Sequence, residues 1–402
     1  MTIIPEPHHH VAGIDSHTET IHIAVITATG LEVDDHEFTT TTTGYRKAVA
    51  WLVEHGPIAA VGIEGTSSYG IGITAALRAA GITVIEVNRT RPAERRKHGK
   101  TDRLDAYRAA RCVISGEAAT HPKHDSIEPL RALLVTRRSA NKALQACWRQ
   151  IRSLLVNAPA TLRDKYRQTS RDKLIRHLAA SRPDQIHDAA QALTMRALRS
   201  LARRHQFLRN ELVDLEAQLD ELTTTKNPGL RAMHGVGPVT AAVLLVTAGD
   251  NPARLATPAG FAALCGTSPI PVSSGKTQRH RLSRGGDRQA NWALHQIVKV
   301  RMVHDQRTRD YRDKHLDAGW TLAAVYRALK RAVAREVFRA LTGNCEIPNY
   351  TDLRPARQAK KLTLTHAAQH FNVWPAHISE IELGKRRDDT LAQNYREWLQ
   401  AA

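Results

Sequence analysis

Residues 11 to 87 alternate between short apolar runs and amphipathic segments, and this pattern limits the fold more than any other feature of the chain. The apolar runs have the length and alternation of β-strands, and turn residues separate them. The predicted elements are, in chain order, strands at 11–15, 20–27 and 31–38, a helix at 45–54, a strand at 59–64, a helix at 71–80 and a strand at 82–87. This order predicts an α/β domain.

A meander of three strands followed by helix, strand, helix and strand is the element order of a ribonuclease-H-like fold. We therefore expect such a domain over residues 11–118, preceded by a disordered tail at 1–10. The segment 88–100 is strongly basic and is interrupted by proline and glycine, which is typical of a mobile loop. Its predicted nucleic-acid-binding residues are Arg95, Arg96, Lys97 and Lys100.

Four carboxylates have positions that indicate a metal site. Asp15 ends the first predicted strand and Glu64 ends the fourth, and these strand ends are neighbours in a ribonuclease-H-like sheet. Asp102 and Asp105 are three residues apart near the start of a helix, so their side chains share one helical face. Converging carboxylates repel one another unless a cation lies between them, and hard oxygen ligands suit Mg²⁺ or Mn²⁺.

Two such ions, ~4 Å apart, would activate a nucleophile and stabilise the leaving oxygen in phosphodiester cleavage. Each acid alone also has an ordinary explanation. The helix dipole favours Asp102, Asp105 has arginine neighbours with which to pair, and Glu64 is compatible with a surface charge at a strand end. The combination of two acids at strand ends with two more on one helix favours the metal site.

The middle of the chain, residues 119–227, is predicted to be almost wholly helical. Leucine stripes separated by charged residues indicate an antiparallel helical arm or a coiled-coil dimerisation element, with a plain helical bundle as the alternative. A second, mostly helical unit is predicted at 228–345. Near its start, Gly235 and Gly237 permit a tight turn between helices whose N–H groups can approach a phosphate, as in a helix-hairpin-helix, although two glycines also occur in ordinary helix junctions.

The tail, residues 351–402, has helix-turn-helix spacing. Helices are predicted at 364–371 and 375–382, with a turn between them and a glycine after the second. The pattern is similar to the Cro/repressor type, so the tail is predicted to bind DNA; a packing module without DNA contacts is the alternative. The predicted DNA-binding residues are Ser379, Lys385 and Arg386.

The charge of the chain favours a polyanionic partner. Its 58 lysines and arginines against 39 aspartates and glutamates give a formal net charge of +19, and nucleic acid is the usual partner of such a chain. Four widely separated cysteines do not indicate a disulfide framework, and no apolar run approaches the ~20 residues of a membrane span. We therefore expect a cytoplasmic protein that is associated with nucleic acid and not with a membrane.

Two sets of motifs, in the right order over residues 11–343, resemble the DEDD insertion-sequence transposases related to pilin-gene invertases, insertion-sequence family one-ten. The first set is Gly13-Ile-Asp15, Glu64-Gly-Thr-Ser-Ser-Tyr69 and Lys100-Thr-Asp-Arg-Leu-Asp-Ala106. The second set is Gly235-Val-Gly-Pro-Val-Thr-Ala-Ala242, Phe261-Ala-Ala-Leu-Cys-Gly266, Ser268-Pro269, Ser274-Gly275 and Arg281-Leu-Ser-Arg-Gly285. The helix-turn-helix tail is an addition to the family core.

The resemblance implies a RuvC-like domain that binds metal through the four acids, and a serine nucleophile, Ser274, in the second unit. The adjacent Ser273 leaves that assignment open by one residue. The basic residues expected to hold a phosphate beside this serine are Lys276, Arg279, Arg281 and Arg284. The resemblance also implies a homo-oligomer, a dimer or tetramer, acting on DNA and in some members guided by an element-encoded RNA.

Two other functions remain open from the sequence alone. One is a metal-only nuclease or Holliday-junction resolvase, in which water attacks the phosphate and Ser274 has no role in the chemistry. The other is a non-catalytic repressor that binds DNA through the tail.

Overall fold

The protein is represented by a computed structural model. It describes residues 6, 8–87, 101–116, 119–120, 122, 127–249, 255–274, 277–281, 285–343 and 349–401. The chain divides into two compact units, the first formed by Met1–Glu128 with Ala248–Ala256 and the second by Pro129–Thr247 with Thr257–Ala402. The division into an N-terminal tail and four further segments expected from the sequence stays a prediction, and the basic segment 88–100 lies outside the described residues.

The first unit contains a six-stranded mixed sheet in the order β3-β2-β1-β4-β5-β6. Its strands are β1 (His10–Ser16), β2 (Thr20–Thr27), β3 (Glu32–Thr39), β4 (Ile58–Ile63), β5 (Val84–Val87) and β6 (Ala119–Thr120). Its helices are α1 (Thr42–Glu54), α2 (Ile71–Ala79) and α3 (Asp102–Ser115). The five strands and first two helices predicted from the sequence are confirmed with small shifts of their ends, whereas the two-residue strand β6 was not predicted.

The two faces of the sheet build separate cores because strand side chains alternate between faces. On one face, Ile14 and Ile23 pack against Leu52 of α1 and Leu77 of α2. On the other face, residues such as Val11 pack with the side chains that α3 presents to the sheet, namely Ala106, Tyr107, Ala110 and Val113. Asp15 is four residues after Val11 in β1, and side chains at even separations lie on the same face of a strand. Asp15 therefore lies on the face that α3 covers.

Two paired glycines bring α3 unusually close to this face. Gly13 of β1 lies opposite Gly62 of β4 in the parallel register. A Cβ atom on Gly13 would lie 2.1 Å from the backbone oxygen of Ala106, and one on Gly62 would lie 2.6 Å from that of Ala109. Only residues without a side chain allow this approach. In the Gly13-Ile14-Asp15 motif, the glycine therefore allows α3 to lie close to β1, and the aspartate supplies the carboxylate on the face that α3 covers.

The second unit begins with a long helix pair. Helix α4 (Glu128–Val156) and helix α7 (Ala189–Lys226) are joined by the short helices α5 (Ala160–Tyr166) and α6 (Arg171–Ala179) and a 3-10 turn. Arg137 Nε donates to Glu216 Oε1 at 2.8 Å, while further along α4 Leu144 packs with Leu208. The residue numbers of the contacts increase along α4 and decrease along α7, so the two helices are antiparallel. An antiparallel helix pair is one of the arrangements expected from the leucine stripes.

The rest of the second unit is mostly helical, as predicted, with one β-hairpin that was not. Its helices are α8 (Pro228–Ala232), α9 (Pro238–Ala248), α10 (Pro258–Leu264), α11 (Arg288–His304), α12 (Gln306–Asp317) and α13 (Leu322–Leu341). The hairpin joins β7 (Ile270–Ser274) to β8 (Thr277–Arg281). Among the described residues, no helix combines the length and apolar character needed to span a bilayer.

The tail folds into four short helices, α14 (Leu353–Ala359), α15 (Leu364–His370), α16 (Pro375–Glu382) and α17 (Asp389–Ala401). The two helices predicted from the sequence correspond to α15 and α16. The turn between them uses Asn372 at φ 51°, a conformation that asparagine tolerates better than most residues. Buried side chains from all four helices form one core, which includes Leu353, Ala368, Ile378 and Tyr395.

Candidate functional site

The neighbouring ends of two parallel strands position the first two predicted acids. Strands β1 and β4 pair in parallel up to Ile14 and Ile63, so Asp15 and Glu64 are the next residue on each strand. The hydroxyl of Ser16 donates to the backbone oxygen of Glu64 at 3.1 Å and ties the two ends together. The sheet register therefore explains why acids 49 positions apart in the sequence come to the same edge.

The start of helix α3 positions the other two acids. Thr101 caps the helix, with its hydroxyl accepting a hydrogen bond from the backbone N–H of Leu104 at 3.3 Å. Asp102 and Asp105 both lie in the first turn, where the helix dipole favours negative charge. Because the paired glycines hold α3 close against β1 and β4, this first turn lies next to the end of β1.

Three side chains form a compact group of possible metal ligands: Asp15, His17 and Asp102. Their ligand atoms all lie within 4.8 Å of one another. His17 Nε2 lies 3.2 Å from Asp15 Oδ2 and 3.1 Å from Asp102 Oδ1, so it interacts with both carboxylates. The Asp15 side chain is only 13% exposed, whereas that of Asp102 is 44% exposed. The group therefore has one half-buried carboxylate, Asp15, and one more accessible carboxylate, Asp102.

The other two predicted acids are not part of this three-residue group. Asp105 lies 2.9 Å from the guanidinium of Arg108, and its side chain is 8% exposed. It nevertheless lies close enough to Asp15 for its charge to act on that residue. Glu64 follows β4 and is linked to the site by the Ser16 hydrogen bond to its backbone oxygen. The structure thus brings Asp15 and Asp102 together around His17, which is the ligand candidate that the sequence reasoning missed.

The electrostatics of the group favour a cation. Burial raises the pKa of Asp15 above its ordinary value, and the negative charges of Asp105 and Asp102 raise it further, while the nearby His17 opposes the increase. A carboxylate that other carboxylates surround is stabilised when a positive charge joins them. Two carboxylate oxygens with one imidazole nitrogen are a donor set that accepts Mg²⁺ through oxygen and Mn²⁺ through oxygen and nitrogen. The residues present therefore fit a divalent cation.

The predicted nucleophile lies at the end of strand β7. Ser274 is paired with Thr277, and Ser273 with Gln278, in the antiparallel register of the hairpin. This register places Ser274 next to the hairpin turn. Arg279 and Arg281 belong to β8, whereas Lys276 and Arg284 lie outside the described residues, as do Arg95, Arg96, Lys97 and Lys100.

Two family models match the chain in the order that its motifs suggested. A model of DEDD transposases of the IS110 type, described as "Transposase", matches residues 12–158. A second model, described as "Transposase IS116/IS110/IS902 family", matches residues 228–313. Together they span more than half of the chain, the sheet with the acids in the first match and the serine hairpin in the second.

The chain belongs to the IS110 family of insertion-sequence transposases.

One relative of this IS110-family chain is the "Insertion element IS110 uncharacterized 43.6 kDa protein" of Streptomyces coelicolor. The two are 38% identical over 110 residues. The match covers 27% of this chain and 27% of the relative, so about a quarter of each is aligned.

Outside both family matches, the tail contains the remaining predicted DNA-binding residues of this IS110-family chain. Lys385 is exposed, and Ser379 in helix α16 is half-buried. Arg386 Nη1 lies 3.4 Å from Glu380 Oε2.

In the second family match, Gly235 adopts a φ of +81°, and a Cβ atom there would lie 3.2 Å from the backbone oxygen of Ile297. The backbone conformation therefore requires a glycine at position 235.

Proposed function

We propose that this chain is an insertion-sequence transposase that cuts and rejoins DNA, with a divalent cation held by the acids of the first unit and Ser274 as the nucleophile. The observation that carries the proposal is the close group of Asp15, His17 and Asp102, with Asp105 and Glu64 beside it. Acids at one sheet edge repel one another, as the raised pKa of Asp15 indicates. A catalytic cation accounts for them.

The strand order supports a ribonuclease-H-like fold for the first unit. A three-stranded meander whose first strand pairs in parallel with β4, and β4 in turn with β5, is the arrangement expected of that fold. In such a sheet the acids at the ends of β1 and β4 and the acid-bearing helix share one edge. The same arrangement supports assigning all four acids to one site.

The acids have different proposed roles. Asp15, half-buried at the end of β1, would hold the cation in a fixed position, and the more exposed Asp102 would complete its binding on the solvent side. Glu64 and Asp105 would bind or orient a second cation or the ligands of the first. When bound, Mg²⁺ polarises the phosphate and stabilises the oxygen that leaves. His17 would hold the two carboxylates in place before the cation arrives.

The serine explains how the chain would rejoin strands as well as cut them. As the Ser274 oxygen forms a bond to phosphorus, the P–O bond to one deoxyribose breaks. The serine proton passes to a base or solvent, and the leaving sugar oxygen takes up a proton. One phosphoester bond replaces another, so the energy needed for rejoining is kept, and a DNA hydroxyl can reverse the step. A weakly nucleophilic hydroxyl needs positive charge near the phosphate, which the basic residues around the hairpin would supply.

The formal charge of +19 supports DNA as the substrate. We propose that the tail acts as a helix-turn-helix, since α15 and α16 have its spacing and Lys385 is exposed just beyond the second helix. Binding to chromosomal DNA would bring the protein to the nucleoid. A homo-oligomer and a guide RNA stay predictions from the family resemblance.

An excision assay tests the proposal. Cells would carry the parent element with its flanking DNA, and joined flanks would be quantified for wild type, Ser274→Ala and the matched control Ser273→Ala. We expect Ser274→Ala to abolish excision and the covalent protein–DNA adduct while leaving DNA binding near the wild-type level. Ser273→Ala is expected to retain both.

The outcome also separates the other two functions. A metal-only nuclease or resolvase predicts that Ser274→Ala still cuts DNA, because water is then the nucleophile. A non-catalytic repressor predicts that neither Ser274→Ala nor Asp15→Ala changes any measured activity. A covalent adduct that persists in Ser274→Ala contradicts the assignment of the nucleophile.

A further inference from the structure

A cleft of about 1150 Å³ lies within the second unit, between the glycine turn after α8 and the tail. One part of its lining comes from residues 228, 229, 231–237 and 300, and the other from residues 349–351, 354, 355 and 382–387. The tail is fixed at this place through its backbone, because the N–H of Arg387 donates to the oxygen of His304 at 3.3 Å and Arg387 forms a β-bridge with Asp305. The cleft is therefore built jointly by the family core and the added tail.

The lining is strongly basic. Its charged side chains are five cations and one acid, namely Arg231, Arg354, Lys385, Arg386, Arg387 and Glu382. The acid is already neutralised, since Arg357 outside the lining makes two hydrogen bonds with Glu382. Three of the cations have carboxylate partners: Arg231 with Asp220, Arg386 with Glu380 and Arg387 with Asp389.

The two remaining cations leave the cleft with positive charge that the protein does not balance. Arg354 and Lys385 are both exposed, and neither has an acidic partner among the residues that the structure describes. Both belong to the tail, one in α14 and the other beyond α16. Unbalanced cations in a cleft attract an anionic ligand.

The two glycines of the core differ in a way that also indicates a ligand. Gly235 needs its positive φ and has the backbone of Ile297 nearby, so it is explained by the fold. Gly237 does not have a positive φ, and a Cβ atom there would meet nothing within 4 Å. Its N–H group has no acceptor among the described residues. The absent side chain therefore leaves open space over an N–H donor, which suits the close approach of a phosphate oxygen.

A buried histidine adds an unused polar group to the same lining. His234 is 8% exposed, and its Nε2 atom has no hydrogen-bond partner in the described part of the chain. Burial lowers the pKa of His234 to about 4, and Arg301 contributes to the decrease, so the ring is neutral at pH 7. The neutral imidazole therefore lies in the lining of the cleft without adding charge to it.

We propose that this cleft binds the phosphodiester backbone of a DNA duplex, with Arg354 and Lys385 from the tail and the Gly237 N–H from the core contacting the same strand. The inference rests on the proposed function in that the chain acts on DNA. It goes further because the tail and the core then form one binding surface, and the tail does not act as a separate module. The contacts are to phosphates, so they position the DNA without reading its sequence.

Binding measurements on the full chain test the proposal. Fluorescence anisotropy of a labelled DNA duplex of random sequence would be recorded over a series of KCl concentrations. For the double variant Arg354→Ala/Lys385→Ala, we expect the slope of log Kd against log salt to decrease by about 2, because two phosphate contacts are lost. The matched control is Lys360→Ala, an exposed lysine of the tail outside the cleft, for which the slope should stay at the wild-type value.

Gly237→Ala provides a second, uncharged variant. Its methyl group has open space in the free protein, so the melting temperature should not decrease. The methyl would block the phosphate from the N–H group, and the affinity should fall about tenfold at an unchanged salt slope. Wild-type affinity in Gly237→Ala, or equal effects of Lys360→Ala and the double variant, would overturn the proposal.

Two further arms identify the ligand and separate this proposal from the proposed function. If the double variant loses affinity for a structured RNA and not for the duplex, the cleft binds RNA and the DNA assignment is wrong. If wild type, Asp15→Asn and the double variant all bind the duplex with the same affinity, only the cleft proposal fails. If wild type binds no duplex at all, the proposed function fails with it.

Discussion

Two carboxylates, the half-buried Asp15 in the sheet and the buried Glu382 in the tail, have opposite electrostatic environments. Glu382 accepts from Arg357 Nε at 2.6 Å and from Arg357 Nη2 at 3.0 Å, and the hydroxyl of Tyr395 donates to it at 2.8 Å. Its charge is balanced by a side chain that is itself buried. Asp15 instead lies among other acids, with His17 as the partner that it shares with Asp102.

The contrast between the environments of Asp15 and Glu382 shows how a structural acid can be distinguished from a functional one. A carboxylate that is fully paired within the protein stabilises the fold or fixes its geometry, and it needs nothing from outside. A group of carboxylates with one shared histidine retains negative charge and is completed by a cation. Each prediction below changes one member of this comparison and measures whether activity, stability or cation binding responds.

The largest expected effect is on activity. Asp15→Asn and Asp102→Asn each keep the side-chain shape and remove one carboxylate charge from the site. A bound cation contributes several kcal/mol to phosphodiester cleavage, so we expect the rate to fall by at least about a thousandfold. The measurement is cleavage of a plasmid that contains the element ends. The control is Asp34→Asn, which changes an exposed acid of the same sheet.

Stability should respond differently in these variants. Neither change removes an apolar contact, so we expect the free energy of unfolding without metal to change by less than about 1 kcal/mol. A large loss of stability in Asp15→Asn would mean that this carboxylate is structural, and the contrast with Glu382 would fail.

The second prediction concerns the tail. Glu382→Gln leaves the guanidinium of Arg357 buried without a counter-charge, which typically costs about 3–5 kcal/mol. We expect faster hydrogen exchange and easier proteolysis within the tail of the full chain. Glu397→Gln, an exposed change in α17, is the matched control and should have little effect. Unchanged protection in Glu382→Gln would show that Arg357 finds another partner.

The third prediction tests how the fold builds the acidic site. Gly13→Ala places a methyl group against the backbone of Ala106, and overpacking of this kind costs about 1–3 kcal/mol. Because α3 must move away from β1, Asp102 moves with it and cation binding should weaken. Val25→Ala, on the opposite core face, should destabilise by a similar amount and leave cation binding intact. Equal cation binding in the two variants would show that the glycine contact does not position α3.

The positions of the four acids in the fold could be predicted from the sequence where strand ends and a helix start define them, while their role as a metal site stays a prediction. Asp15 and Glu64 could be placed because apolar runs end at them, and the meander order makes the ends of those strands neighbours. Asp102 and Asp105 could be placed by helical spacing. These are local patterns combined with one topological rule, so no long-range packing had to be known.

The missed features depend on packing or on weak local signals. His17 follows the strand in a polar stretch, and its contact with Asp102 exists only because two glycines bring α3 close to β1. That signal, a histidine two residues after a strand-end acid, could have been considered. The β7–β8 hairpin has two five-residue strands, of which β8 is wholly polar and β7 has only Ile270 and Val272 as an apolar signal. The basic cleft depends on where the tail docks, which no local pattern encodes.

The smallest expected effect is the stabilisation of the fold by the cation itself. A ligand that binds only the folded state at ten times its Kd adds about 1.4 kcal/mol to the free energy of unfolding. Mg²⁺ or Mn²⁺ should therefore raise the melting temperature of wild type and of Glu382→Gln, but not of Asp15→Asn, in thermal unfolding with and without a chelator. Since an imidazole nitrogen favours Mn²⁺ over Mg²⁺, His17→Ala should reduce the Mn²⁺ effect more than the Mg²⁺ effect if His17 is a ligand. Equal loss of both would instead make His17 a residue that positions the two carboxylates, and an unchanged shift in Asp15→Asn would remove the acidic group from cation binding altogether.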